Sequence, residues 1–284
     1  MEQATVIYLT NIVIVCILAS MITHYWVRQG RGTAMFYWMV SAWVLAVADV
    51  FFAVRPELPY WAGRIVPTLL VTIGHAGLLL GARQTAGLTT RWWTVTASIA
   101  VHAGGLVYFL NNDGHSQWRM VFNGIVWAAF SLASGYSLRQ GSKVFYSSMF
   151  SPCRAFLCHG LFHCFRVVFA SVCAVQGWDQ AAEWLQVVSD YEVSFFMVAL
   201  FVSLLTANLE LRNLELSNAL AEVHTLTGLL PICAWCKKVR DDDGYWQKVE
   251  DYLSVHSRIK FTHGICSDCF NEQRPKKHEC RQAD

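Results

Sequence analysis

Two close pairs of cysteines carry the most specific chemistry in the chain: Cys233-Ala234-Trp235-Cys236 and Cys266-Ser267-Asp268-Cys269. A Cys-x-x-Cys turn lets two thiolates face one ion, and two such hooks complete a tetrahedral four-sulfur site. Zinc is the expected metal. Iron at the same four cysteines is the alternative, and a thiol redox switch is a third reading. Neither hook is followed by histidine, which excludes covalently attached c-type haem. His263 stands three residues before the second hook. Four cysteines already close the site, so its expected role is a hydrogen bond to a ligand sulfur. Asp241-Asp242-Asp243-Gly244 lacks the alternating ligand spacing of a calcium loop and reads as a solvated turn.

A second set of chemical groups lies in strongly apolar sequence. His75, His102 and His163 fall at similar depths, about 12–16 Å from the inner ends of their spans at the helical rise. His159 is one turn before His163 on the same face, an i, i+4 pair that can share a metal. Cys158 and Cys164 flank the pair. Two readings are open: a metal or bis-histidine haem site, or histidines hydrogen-bonded across helices. Asp49, Arg166 and Glu192 lie about 16–22 Å from the inner ends, with Asp190 nearer the outer face. One arginine facing two or three carboxylates makes a ligand pocket, a switch or a structural ion pair. The only lysine before residue 208 is Lys143, in a loop. A retinal Schiff base inside the bundle is therefore chemically impossible.

Positioning these groups requires membrane-spanning helices. The 284 residues are 55% hydrophobic and 15% charged. Residues 4–207 hold 18 charged side chains, whereas residues 208–284 hold 23. A span needs about 20 mostly apolar residues. Seven segments qualify: 4–26, 34–54, 64–82, 92–110, 119–138, 155–175 and 184–207. Arg28, Arg31, Arg83, Arg91, Arg139, Lys143 and Arg154 lie in one set of loops; Arg55, Arg64 and Arg119 lie in the other. The positive-inside rule then puts the N-terminus outside and the C-terminus in the cytoplasm. Trp61, Trp92, Trp93, Trp118, Trp178 and Trp184 fall near span ends, as interfacial tryptophans do. Gly77 and Gly81 form a small-xxx-small pair suited to close packing, and Pro67 can disturb the third span.

After the last span no proline or glycine interrupts residues 208–227. Leu209, Asn213, Leu216, Leu220 and Val223 recur at alternating spacings of four and three, continuing to Thr227 and Leu230. This is a short heptad seam with Asn213 in a core position, which favours a two-stranded parallel coil. The expected partner is a second copy of the chain; the alternative is one amphipathic helix packing on its own module. Tyr245 to Val255 reads as a helix with Trp246, Val249, Tyr252 and Leu253 on one face, and Lys260-Phe261-Thr262 as a short strand. The resulting fold class is an all-α membrane protein: seven transmembrane helices (1–207), a connecting coiled-coil helix (208–228), a small α+β metal-binding module built on the four cysteines (229–270) and a basic flexible tail (271–284).

The stretch Gly228–Cys269, reading Leu-Leu-Pro-Ile-Cys-Ala-Trp-Cys-Lys-Lys and later His-Gly-Ile-Cys-Ser-Asp-Cys, resembles a known module. That module, of the form LLPICAxCKKIRDDxGYW…HGICPEC, ends many bacterial signalling proteins after PAS, receiver or membrane sensor domains. Val239 replaces its usual isoleucine and Ser267-Asp268 its usual Pro-Glu. The 29-residue spacing between the hooks also resembles rubredoxin, although Lys237 and Phe270 stand where rubredoxin hooks usually carry glycine. The first resemblance implies bacterial signal transduction rather than a reaction. The leading expectation is a bacterial inner-membrane receptor for an unknown small molecule, acting through a dimeric helix on an unknown cytosolic signalling protein. The alternative is a membrane redox or haem-binding protein using the intramembrane histidines and cytosolic thiols. A transporter would be expected to show internal repeats, and none is evident. No hydrolase motif or phosphate loop appears, so no enzyme activity is expected. A net charge of +2 gives no basis for nucleic-acid binding.

Overall fold

The computed structural model describes residues 2–28, 32–112, 116–227, 231–241, 243–256 and 260–273. Seven long helices come first: α1 (Glu2–Arg28), α2 (Thr33–Ala53), α3 (Tyr60–Thr85), α4 (Trp92–Asn111), α5 (Ser116–Arg139), α6 (Pro152–Gln176) and α7 (Asp179–Thr227). Each contains a window long and apolar enough to cross a membrane, the arrangement of a multi-pass membrane protein. Pro67 lies inside α3 without ending it. α6 stops where Gly177 takes a left-handed conformation, φ 66°, as helix C-termini favour. α7 is one helix of 49 residues, so the segment after residue 207 continues the last apolar stretch as helix to Thr227.

The chain divides into two compact units, residues 1–214 and 215–284. In the first unit Ile22 of α1, Trp38 of α2, Leu78 of α3, Phe156 of α6 and Leu200 and Phe201 of α7 are almost completely buried and belong to one core. The outward faces stay apolar, with Val13, Val101, Phe165 and Phe195 exposed. In water such surface would be a liability, but against lipid it is required. The six tryptophans near span ends are likewise exposed, as an interfacial belt needs. α4 is peripheral, with only Val95, His102 and Leu106 buried.

Small residues let α2 approach α3. A Cβ at Gly77 would lie 2.3 Å from Ser41 Oγ, and one at Gly81 would lie 2.8 Å from the Trp38 indole. Because Trp38 is 1% exposed and cannot swing away, Gly81→Val is expected to destabilise the bundle by about 1–3 kcal/mol. Thermal unfolding in detergent, compared with Gly104→Val at an open position, measures the difference.

The second unit carries β1 (Val239–Arg240), β2 (Trp246–Gln247), α8 (Val249–His256) and α9 (Ser267–Gln273). β1 and β2 pair antiparallel, Val239 with Gln247 and Arg240 with Trp246. The helix expected from Tyr245 therefore begins only at Val249. The turn preceding it decides this. Gly244 sits at φ 89°, the Tyr245 N–H donates to Asp241 Oδ1 at 2.7 Å, and the Asp241 N–H donates to Tyr245 O at 2.9 Å. Together these close a hairpin, which commits Trp246 to a strand. Lys260, Phe261 and Thr262 form no strand; the irregular segment runs straight into α9. Residues 228–230, including Leu230 of the seam, and 274–284 of the basic tail lie outside the described residues, as do the side chains of Val223 and Thr227.

Candidate functional site

The bundle gathers His75, His159 and His163. α3 supplies His75, and one face of α6 supplies His159 and His163. Their ligand atoms all lie within 4.8 Å of one another, and among the described residues this is the one such group of histidine, cysteine or carboxylate side chains. His75 Nε2 and His159 Nε2 are 3.1 Å apart. His75 Nδ1–H donates to the Val71 carbonyl at 2.8 Å, and His159 Nδ1 is hydrogen-bonded to the Glu192 carboxyl, 2.9 and 3.0 Å from its two oxygens. His163 is 1% exposed, and neither of its ring nitrogens has a hydrogen-bond partner. Phe196 stacks on His159 at 3.7 Å between centroids, and Trp127 meets His163 edge-on at 5.5 Å.

His102 is not part of this group. Its Nδ1 lies 2.7 Å from Thr72 Oγ1, and its Nε2–H donates to Asn123 Oδ1 at 2.9 Å. Both nitrogens are satisfied across helices, which is the structural role expected of a buried polar side chain in a membrane bundle.

The charged residues also separate. Arg166, 2% exposed, donates from Nη2 to Gln186 Oε1 at 2.9 Å. The Gln186 amide donates to Asp190 Oδ1 at 2.8 Å, and the Tyr8 hydroxyl donates to Asp190 Oδ2 at 3.2 Å. The expected direct pairing of arginine with carboxylates is therefore relayed through an amide, because Gln186 is one turn before Asp190 on α7 and fills the space between. Glu192 turns instead to His159. Asp49 and Asp190 line a cavity of about 70 Å³ with His75, His163 and Arg166. A second cavity, about 560 Å³, shares Tyr8, Trp127, Arg166 and Gln186 with it and opens past Arg64, Arg119 and Glu183. Gln186, Tyr8, Thr72, Asn123 and Trp127 were not legible as site residues. The available signal was weak: neutral polar groups within apolar spans, and Gln186 at helical spacing from Asp190.

In the second unit each cysteine pair forms a local turn. The Cys233 N–H donates to Lys238 O at 2.8 Å and the Lys237 N–H to Cys233 O at 3.0 Å, making a tight knuckle. Lys237, the residue after the second cysteine, is left-handed at φ 60°. Thus the chain adopts with lysine the backbone that glycine would favour. Backbone N–H groups of Cys236 and Trp235 point at Cys233 and hold its thiol below the ordinary range. At the other hook the Cys269 N–H points at Cys266 Sγ, 3.5 Å away at the start of α9. That N–H, then the Cys269 side chain and the Asp268 N–H, holds the Cys266 thiol low. Both effects favour thiolate, the form that binds metal. Among the described residues no three of these cysteines have ligand atoms within 4.8 Å of one another, and His263 is exposed in the segment before α9. Each pair offers two thiol donors on a tight turn, and the four sulfurs do not come together as one ligand group.

Fold and site together define a multi-pass helical membrane protein with a histidine- and carboxylate-lined interior and a small cysteine-bearing unit. No family model, curated protein or solved structure matches the chain.

Proposed function

We propose that this chain is a bacterial inner-membrane sensor, with its N-terminus outside and its C-terminus in the cytoplasm. A small molecule or a membrane stimulus acts on the buried polar network. α7 passes the change to a zinc-binding module that holds one ion through Cys233, Cys236, Cys266 and Cys269 and contacts a cytosolic signalling protein. The observation that carries this reading is the continuity of α7. Gln186, Asp190 and Glu192 sit in the buried network, and the same unbroken helix runs on to Thr227. A helix cannot be shifted or rotated at one end without moving the other, unless a kink absorbs the change. Glycine and proline, the commonest kink formers, are absent from α7.

The seam residues support a parallel homodimer. Leu209, Leu216 and Leu220 are each at least half exposed in the single chain, and Asn213 is exposed on the same stripe. A second copy would cover this apolar edge, with Asn213 facing its counterpart. Cysteine at Leu216 or Leu220 is expected to form intersubunit disulfides in native membranes, whereas cysteine at Ser217, off the stripe, forms far fewer. Absence of crosslinks at both seam positions, with a monomer mass in mild detergent, would remove the dimer.

The redox reading draws on the imidazole cluster. A visible spectrum of the purified protein separates the two: the sensor reading expects no haem bands.

A further inference from the structure

We propose that His75, His159 and His163 bind one late first-row transition-metal ion, zinc or copper, inside the seven-helix bundle. This site is distinct from the cysteine module and does not depend on the sensor reading.

The first argument is the direction of the lone pairs. The Val71 carbonyl can only accept, so the His75 Nδ1 facing it carries the proton. The Glu192 carboxyl occupies His159 Nδ1 at 2.9 and 3.0 Å, which turns the His159 Nε2 into the cluster. The two Nε2 atoms face each other at 3.1 Å. One shared proton or one metal ion can hold two imidazole nitrogens at that distance. Metal–imidazole bonds of about 2.0–2.1 Å place two nitrogens of a tetrahedral site about 3.3 Å apart, close to the observed separation.

The second argument is the third histidine. Buried polar nitrogens are nearly always paired. His163 is buried with both nitrogens unpaired, and its ligand atom lies within 4.8 Å of the other two. A shared proton would satisfy His75 and His159 but leave His163 orphaned, whereas a metal ion satisfies all three. His159 held by Glu192 is the carboxylate–histidine–metal arrangement that fixes tautomer and ring orientation.

Donors and access agree. Asp49 and Asp190 line the cavity that His75 and His163 also line, so oxygen donors stand beside the imidazoles. The 70 Å³ cavity touching His75 and His163 adjoins the larger one, which gives a polar entry path. Imidazole donors suit zinc and copper better than magnesium or calcium. A haem would need its two axial imidazoles on opposite faces of a macrocycle. His75 and His159 meet nitrogen to nitrogen with no such plane between them.

The test uses the full-length protein in mild detergent. Elemental analysis is expected to give one ion beyond that held by the cysteines and to identify it as zinc or copper. Loading with Cu(II) should give an electron paramagnetic resonance spectrum with nitrogen hyperfine structure. His163→Gln and His159→Gln should each lose that ion and that spectrum, and His102→Gln should keep both. Glu192→Gln, nearly isosteric, should weaken binding by about 10–100-fold. The inference is overturned if wild type and His163→Gln bind equal metal, if His102→Gln loses it as readily, or if no nitrogen-ligated species forms. Should the histidine variants not fold, an unchanged affinity in Glu192→Gln overturns it. All readouts are metal content and spectra, so failure of signalling would not be mistaken for failure of this site.

Discussion

Replacing Cys233, Cys236, Cys266 or Cys269 with serine is expected to release one zinc per chain and to unfold residues 231–273, while the seven-helix part still inserts. The effect should be near total because little else holds this unit. Val239 is the one fully buried hydrophobic side chain among its described residues, whereas Trp235, Tyr245, Ile265 and Phe270 are exposed. Two strands of two residues and two short helices bury too little apolar surface to offset chain entropy. Apparent binding free energies of structural zinc in small modules reach about 10–16 kcal/mol at neutral pH, far above any other contribution available here. Limited proteolysis with metal analysis measures both losses. The pH dependence has a definite sign. Hydrogen bonds hold the Cys233 and Cys266 thiols below their ordinary range, so metal should persist to lower pH than unperturbed thiols would allow. It should be lost on further acidification, as the thiolates protonate. Retention of zinc in all four serine variants would remove the site.

Arg166→Met is expected to destabilise the bundle by about 3–5 kcal/mol, the usual cost of stranding buried charge. Arg166 is the cation lining the cavity with Asp49 and Asp190, and it orders Gln186 against Asp190. Its removal takes away the buried guanidinium that lies among these carboxyls and strands the Gln186 carbonyl that accepts from it. Asp190→Asn added to Arg166→Met should recover much of the loss, since it removes one of these carboxyls while keeping the Tyr8 contact possible. Thermal unfolding of the single and double variants reads this coupling directly. Equal stability of Arg166→Met and wild type would mean that the network contributes nothing to packing.

The seven spans were legible because about 20 apolar residues can satisfy their backbone in lipid only as helix. The level along the helices at which His75, His159 and His163 meet was legible too, since rise per residue is constant. Azimuth was not. His102 shares the depth of His75 and His163, yet Thr72 and Asn123 claim both its nitrogens, and only helix packing decides that. Likewise Arg166 reaches a glutamine before any carboxylate, a choice made by side-chain volume between α6 and α7. In the second unit the spacing of the two cysteine pairs was plain, and each pair does form a local turn. The β1–β2 hairpin was not, because Trp246 and its neighbours fit a helical face as well as a strand. Asp241 and Gly244 settled the matter through the turn they close.

Hydrogen–deuterium exchange across residues 208–273 in full-length protein, wild type against Glu192→Gln, tests the relay most directly. Glu192 holds His159 inside the bundle and lies on the helix that continues to Thr227. Transmission through α7 predicts that this single change, far along the chain from the cysteines, alters protection in residues 208–227 and at the cysteine hooks while α2 and α5 exchange as before. Identical protection throughout residues 208–273, in a variant shown to be folded, would contradict it.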